Sequence, residues 1–186
     1  MRFWWQWIVA NSLAELLGLG IVVAIGFEVT SRLGEPQDAA QAIAIALLFV
    51  SLGAIEGFVV GWAQSRVLRP KLPALDGWTG ATVTGAVAAW ALGMIPSTVM
   101  SIAGPTDGTP APPMNPVFQY LLAAALGAVA GPILAFFQWR RLRPTIGPRS
   151  AAWLPANALA WAAGMPVIFA GADIGVSLAA PAATIA

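Results

Sequence analysis

The 186-residue chain is 59% apolar and 9% charged, with a formal net charge of +1 and a mean hydropathy of +0.78. A soluble domain carries about a quarter charged residues, so this surface does not face water, and the small net charge gives no reason to expect a nucleic-acid partner. The absence of cysteine and histidine removes disulfides, thiolate metal sites, lipidated cysteine, His-ligated haem or pigment and a histidine base, and no cofactor is identifiable.

About 20 apolar residues cross a bilayer core. The first such stretch runs from Phe3 to Val29 behind Arg2. It contains Asn11 and Glu15 and lacks a small-residue cleavage site, so it reads as a retained span rather than a signal peptide. Four more follow: Ala39 to Val67, Trp78 to Ala103, Pro116 to Trp139 and Ala151 to Ala172. The expected architecture is all-α, a polytopic transmembrane bundle of five spans forming a single domain over residues 1–186. Turn chemistry separates the spans at Gly34-Glu35-Pro36, Pro70-Lys71-Leu72-Pro73 and Pro144-Thr145-Ile146-Gly147-Pro148. Between Gly104 and Pro116, proline and glycine predict an extended loop. Helix breaks are expected near Pro96, Pro132 and Pro166, where the ring removes a backbone hydrogen bond.

With the N-terminus in the cytoplasm, Arg2, Arg66, Arg69, Lys71, Arg140, Arg141, Arg143 and Arg149 lie inside and only Arg32 outside. That asymmetry obeys the positive-inside rule, and nine tryptophans supply interface anchors.

A two-helix unit recurs along the chain, pairing a Trp helix (the first, third and fifth spans) with a Gln helix (the second and fourth). Gly53-x3-Gly57-x6-Gln64-x-Arg66-x-Leu68-Arg69-Pro70 returns as Gly127-x3-Gly131-x6-Gln138-x-Arg140-x-Leu142-Arg143-Pro144. Trp7-x2-Ala10-Asn11-x-Leu13-Ala14-x3-Gly18 returns as Trp153-x2-Ala156-Asn157-x-Leu159-Ala160-x3-Gly164, and more loosely around Trp78, Ala89, Trp90 and Gly93. Repeat 1 covers about 3–70, repeat 2 about 78–144, and a partial repeat 3 about 151–186. The offset starts a third Gln helix around Pro181 to Ala186, so a sixth helix is expected beyond Ala186; the alternative is an unpaired fifth helix.

Gly53, Gly57, Gly61, Gly127 and Gly131 have the small-x3-small spacing of helix packing, with a groove for a flat pigment or sterol as the alternative. Arg66, Arg69, Arg140, Arg141 and Arg143 sit where arginines meet lipid phosphates and cap helix carbonyls, or hold a substrate phosphate. Asn11 and Asn157 need partners inside the bilayer, and backbone carbonyls or the repeat glutamines are the natural ones. Aligning the Trp helices by their glycines sets Glu15 against Trp90 and Trp161; Glu56 stands against Ala130. These two carboxyls near mid-membrane have no basic residue at their depth. They suggest either a proton or cation site or a structural hydrogen-bonded pair. No catalytic constellation is visible, and no enzyme is expected.

The pairing of Gly-x3-Gly…Gln-x-Arg-x-Leu-Arg with Trp-x2-Ala-Asn-x-Leu-Ala resembles uncharacterised multi-pass proteins of bacterial membranes that repeat this helix pair. The resemblance implies a helical protein of the bacterial inner membrane and no activity. This chain departs from it by ending before the last Gln helix. The expected function is a non-catalytic subunit of a larger membrane complex, respiratory or photosynthetic, with the lipid bilayer and other membrane subunits as partners. The alternative is a small-molecule or ion transporter component with a carboxylate site at Glu15 and Glu56.

Overall fold

A computed structural model describes residues 3–34, 36–103 and 114–183. The helices are α1 (Phe3–Leu33), α2 (Ala39–Leu68), α3 (Trp78–Ala103), α4 (Pro116–Ile146) and α5 (Trp153–Ala183), with a 3-10 turn over Gly147–Ala152 between the last two. The described residues contain no strand. Four helical runs are long and apolar enough to cross a membrane: Phe3–Leu33, Ala39–Leu68, Trp78–Ala103, and Pro116–Ile174, which joins α4, the 3-10 turn and α5.

The helix ends follow local chemistry. Asp38 caps α2 by accepting from the Gln41 amide at 2.8 Å. Asn115 caps α4 by accepting from the Val117 amide at 2.9 Å, with Pro116 in the first turn where its missing N–H costs nothing. Gly34 and Gly147 take positive φ at the ends of α1 and α4, a backbone state that glycine adopts without a Cβ clash.

Several boundaries correct the sequence expectation. Pro144 does not end α4, which continues to Ile146. Helical structure also runs unbroken through Pro96 and Pro132, and through Pro166 in α5. One lost hydrogen bond does not unwind a helix whose other carbonyls have no partner but the helix itself. α5 continues past Ala172 to Ala183, so the chain does not reverse before Pro181. Arg2, Glu35, most of the expected Pro/Gly loop (104–113) and residues 184–186 lie outside the described residues.

The bundle exposes an apolar surface, and its interior combines small and apolar side chains with a few polar ones. Leu16 and Leu159 are each 74% exposed, whereas the largest fully buried side chains are Gln138, Thr82 and Ser150. Such exposed leucines suit a hydrocarbon solvent, where the interior must satisfy the polar groups. Neighbours in sequence are neighbours in space, but the closest seams are α2 with α3 and α4 with α5. The tightest packing thus joins a Gln helix to the Trp helix that follows it, across the boundary between the repeats drawn from sequence.

Candidate functional site

The starts of α1, α3 and α5 converge at one end of the bundle. The Trp7 and Trp78 rings both meet Trp153 edge to face, each at 5.9 Å between centroids. Leu68, Leu75 and Leu142 pack around this cluster. Arg66, Arg69, Lys71, Arg140, Arg141, Arg143 and Arg149 belong to the helix ends and connections on that side. Arg32 ends α1 at the opposite side, in an exposed ion pair with Glu28.

One layer into the bundle from the tryptophans lies a ladder of amides. Gln64 donates to Asn11 Oδ1 at 2.7 Å and accepts from Trp78 Nε1 at 2.9 Å. Gln138 donates to Thr82 Oγ1 at 2.9 Å and accepts from Trp153 Nε1 at 2.9 Å. A further bond, from Gln138 Nε2 to Gln64 Oε1 at 3.2 Å, ties the two steps together. Asn11, Thr82 and Asn157 each donate to the carbonyl of the tryptophan four residues earlier. Thr82 therefore fills on α3 the place that asparagine fills on α1 and α5. This register realigns the Trp helices by four residues at α3. Glu15 corresponds to Ala86 and Trp161, not to Trp90.

Both partners expected for the asparagines occur, backbone carbonyls for Asn11 and Asn157 and a repeat glutamine for Asn11, whereas Thr82 and the tryptophan indoles were not among the candidate residues. The signal was available in Trp-x3-Asn and Trp-x3-Thr, four-residue spacings that put both side chains on one helix face.

The glycines sit at the seams. A Cβ on Gly57 would stand 2.6 Å from Ala86 Cβ and 3.0 Å from Val83 Cα, and one on Gly61 would stand 2.8 Å from Thr82 Cβ. Gly131 faces the carbonyl of Asn157, where a Cβ would lie 2.5 Å from the oxygen, and Gly127 faces the carbonyl of Trp161. Gly85, outside the candidate set, makes the same close approach from α3 to Leu134 of α4. Gly53 differs, because its face is covered by the indole ring of Trp90 rather than by backbone.

That ring serves the carboxyl layer. From its seat on Gly53, Trp90 donates Nε1–H to Glu56 Oε2 at 2.6 Å, and it stacks on Phe49 at 6.2 Å. Glu56 is buried and packs against Gly18 of α1. Glu15 meets Glu56 across α1 and α2, and its Oε2 is inaccessible and has no hydrogen-bond partner. Glu56 also lines a cavity of about 250 Å³ that draws its walls from all five helices. Around it stand Trp90 and Met94, Leu126 and Leu134, Trp161 and Met165. Asn11, in the ladder, and Asn157, bonded to the Trp153 carbonyl of its own helix, lie nearer the tryptophan end and do not line this cavity.

The five candidate arginines are exposed and scatter over the bundle's end. Arg66 lies over the Trp62 ring at 4.9 Å and Arg143 over Trp139 at 5.4 Å, both cation–π pairs one turn apart. Arg69 caps α2 through its backbone. Arg141 packs beside Gly77, and with Arg140 it lines a shallow polar cleft near Thr84. They do not converge on a common point. Among the described residues no cluster of His, Cys, Asp or Glu could hold a metal ion. No protein-family model, curated protein or solved structure matches this chain.

Proposed function

We propose that this protein is a five-span component of the bacterial cytoplasmic membrane, N-terminus inside, that holds a small apolar amine within its bundle. The observation that carries this reading is the Glu56 cavity. Its walls are apolar except for one carboxyl, and that carboxyl is held in place by the Trp90 indole. A cavity of about 150 Å³ lined by aliphatic and aromatic groups takes benzene, so one of this size suits a ligand somewhat larger. An ammonium group would find the Glu56 carboxyl, with Trp90 and Trp161 among the aromatic residues that line the cavity. The role fits a transport component rather than an enzyme, and it uses no cofactor.

The topology proposal rests on the arginine-rich end, which the positive-inside rule turns toward the cytoplasm. Five crossings follow if the run from Pro116 to Ile174 folds back at the 3-10 turn, as the side-by-side packing of α4 and α5 supports. The reading as a non-catalytic subunit of a larger complex keeps one specific support: the uncovered side between α1 and α5, where a foreign helix would find polar partners.

Thermal unfolding of the detergent-solubilised protein tests the cavity reading, with 2-phenylethylamine and ethylbenzene as probes. The amine is expected to stabilise saturably and more than the hydrocarbon. Glu56→Gln should remove that difference, while Glu28→Gln at the exposed ion pair should keep it. Equal stabilisation by both probes, or full retention in Glu56→Gln, would refute the proposal.

A further inference from the structure

The amide ladder has two complete steps and the two outer halves of a third. In each complete step a glutamine bridges two Trp helices. Its nitrogen donates to the Asn or Thr one turn after a tryptophan, and its oxygen accepts from the next indole. Gln64 does this between Asn11 and Trp78, and Gln138 between Thr82 and Trp153. Asn157 repeats the place of Asn11 and Thr82, with its Nδ2 on the carbonyl of Trp153 at 2.8 Å. Trp7 repeats the place of Trp78 and Trp153, in the same ring cluster. Among the described residues, however, Asn157 Oδ1 accepts no hydrogen bond and Trp7 Nε1 donates none. The backbones of α1 and α5 do not approach one another, and the indoles of Trp7 and Trp153 span the distance between them.

We propose that the groove between α1 and α5 binds a partner transmembrane helix carrying glutamine in the pattern Gly-x3-Gly-x6-Gln, antiparallel to both. Its glutamine nitrogen donates to Asn157 Oδ1, and its oxygen accepts from Trp7 Nε1. A primary amide offers a separate donor and acceptor atom on one uncharged head, which is how Gln64 and Gln138 bridge the two existing steps. Lysine and arginine cannot accept from the indole, and an ionised glutamate cannot donate to the asparagine. The glycine seven residues before the glutamine follows from the same register. Gly57 and Gly131 lie against the carbonyls of Thr82 and Asn157 in the two existing steps, and the equivalent carbonyl on α1 is that of Asn11. A backbone approach that close leaves no room for a side chain. With the sixth position filled, the helices close into a ring of three Gln–Trp seams. The inference is independent of the Glu56 cavity.

The probe is a dye-labelled synthetic peptide with the sequence of residues 125–143 of α4, which carries this pattern. It is added to the full chain in lipid nanodiscs. Saturable binding of one peptide per protein is expected. A peptide with leucine in place of the glutamine should bind at least about ten-fold more weakly, the scale of two interhelical hydrogen bonds in a membrane. Trp7→Phe in the protein, which keeps the ring and removes the donor, should weaken the native peptide similarly, while Trp5→Phe on the exposed face should not. Four results would overturn the proposal: no saturable binding, equal binding of the two peptides, binding insensitive to Trp7→Phe (as when the peptide merely exchanges with α4), or a dimer of the protein that already fills the groove.

Discussion

The α2–α3 and α4–α5 seams share one motif, and their divergence shows what a glycine stripe leaves open. Both bring a Gln helix against the following Trp helix, with Gly57 and Gly131 seated on equivalent carbonyls. One turn further in, they part. Gly127 continues the close approach against the Trp161 carbonyl, whereas Gly53 receives the indole of Trp90. An inserted ring replaces backbone contact at that level of α2–α3, and the cavity beside Glu56 opens there. Small residues permit a close approach; what arrives depends on the partner helix.

The sharpest way to break this comparison is to fill the seams. Gly131→Leu should lower stability by more than about 3 kcal/mol, because a side chain meets a fixed backbone carbonyl, and this cost is at the upper end for overpacking. Gly53→Ala should cost less, since an indole can shift where a carbonyl cannot. Unfolding in sodium dodecyl sulfate mixtures measures both. Equal losses would mean that the two seams do not differ in the way described.

The next effect concerns what the seams share. Gln138→Leu should destabilise by roughly 2 kcal/mol, through three lost bonds and a stranded Trp153 indole, each membrane hydrogen bond contributing about 0.6 kcal/mol on average. Combined with Gln64→Leu, the loss should fall short of the sum, because one bond joins the two glutamines. Strict additivity would count against a continuous ladder.

Trp90→Phe probes the feature peculiar to α2–α3. Losing a single donor to Glu56 should cost about 1 kcal/mol while preserving the ring on Gly53. Binding of 2-phenylethylamine should change along with it. The corresponding position in the other seam, Met165→Leu, is a volume-conserving change with no hydrogen bond to lose and should leave stability nearly unaltered. At the arginine end, Arg66→Ala should shift stability by less than about 1 kcal/mol, since an exposed cation–π contact contributes little. A larger loss there would reveal an arginine function beyond the ring it covers.

The sequence alone determined the helical character and the apolar exterior. Stretches such as Ala39 to Val67 are too long and too uniformly apolar for strands or for a soluble surface. The chain-order separation of Arg32 from the remaining arginines was equally plain, being a property of position along the chain. Proline positions were legible, but their effect was not. Pro96 and Pro132 lie inside continuous helices because the membrane-facing backbone has no partner but itself.

Only the tertiary structure decided which groups meet. That Gln64 takes the indole of Trp78, that Thr82 stands in for asparagine, and that Glu15 aligns with Ala86 rather than with Trp90 depend on helix register. Short glycine and tryptophan spacings permit more than one such register. The meeting of Glu15 with Glu56, and the seating of Trp90 on Gly53, likewise depend on rotation about helix axes. Hydropathy is a sum over neighbours along the chain and is nearly blind to that rotation when every face is apolar, as it is here. Hydrogen bonds between helices are not blind to it, because each requires one donor and one acceptor within about 3 Å.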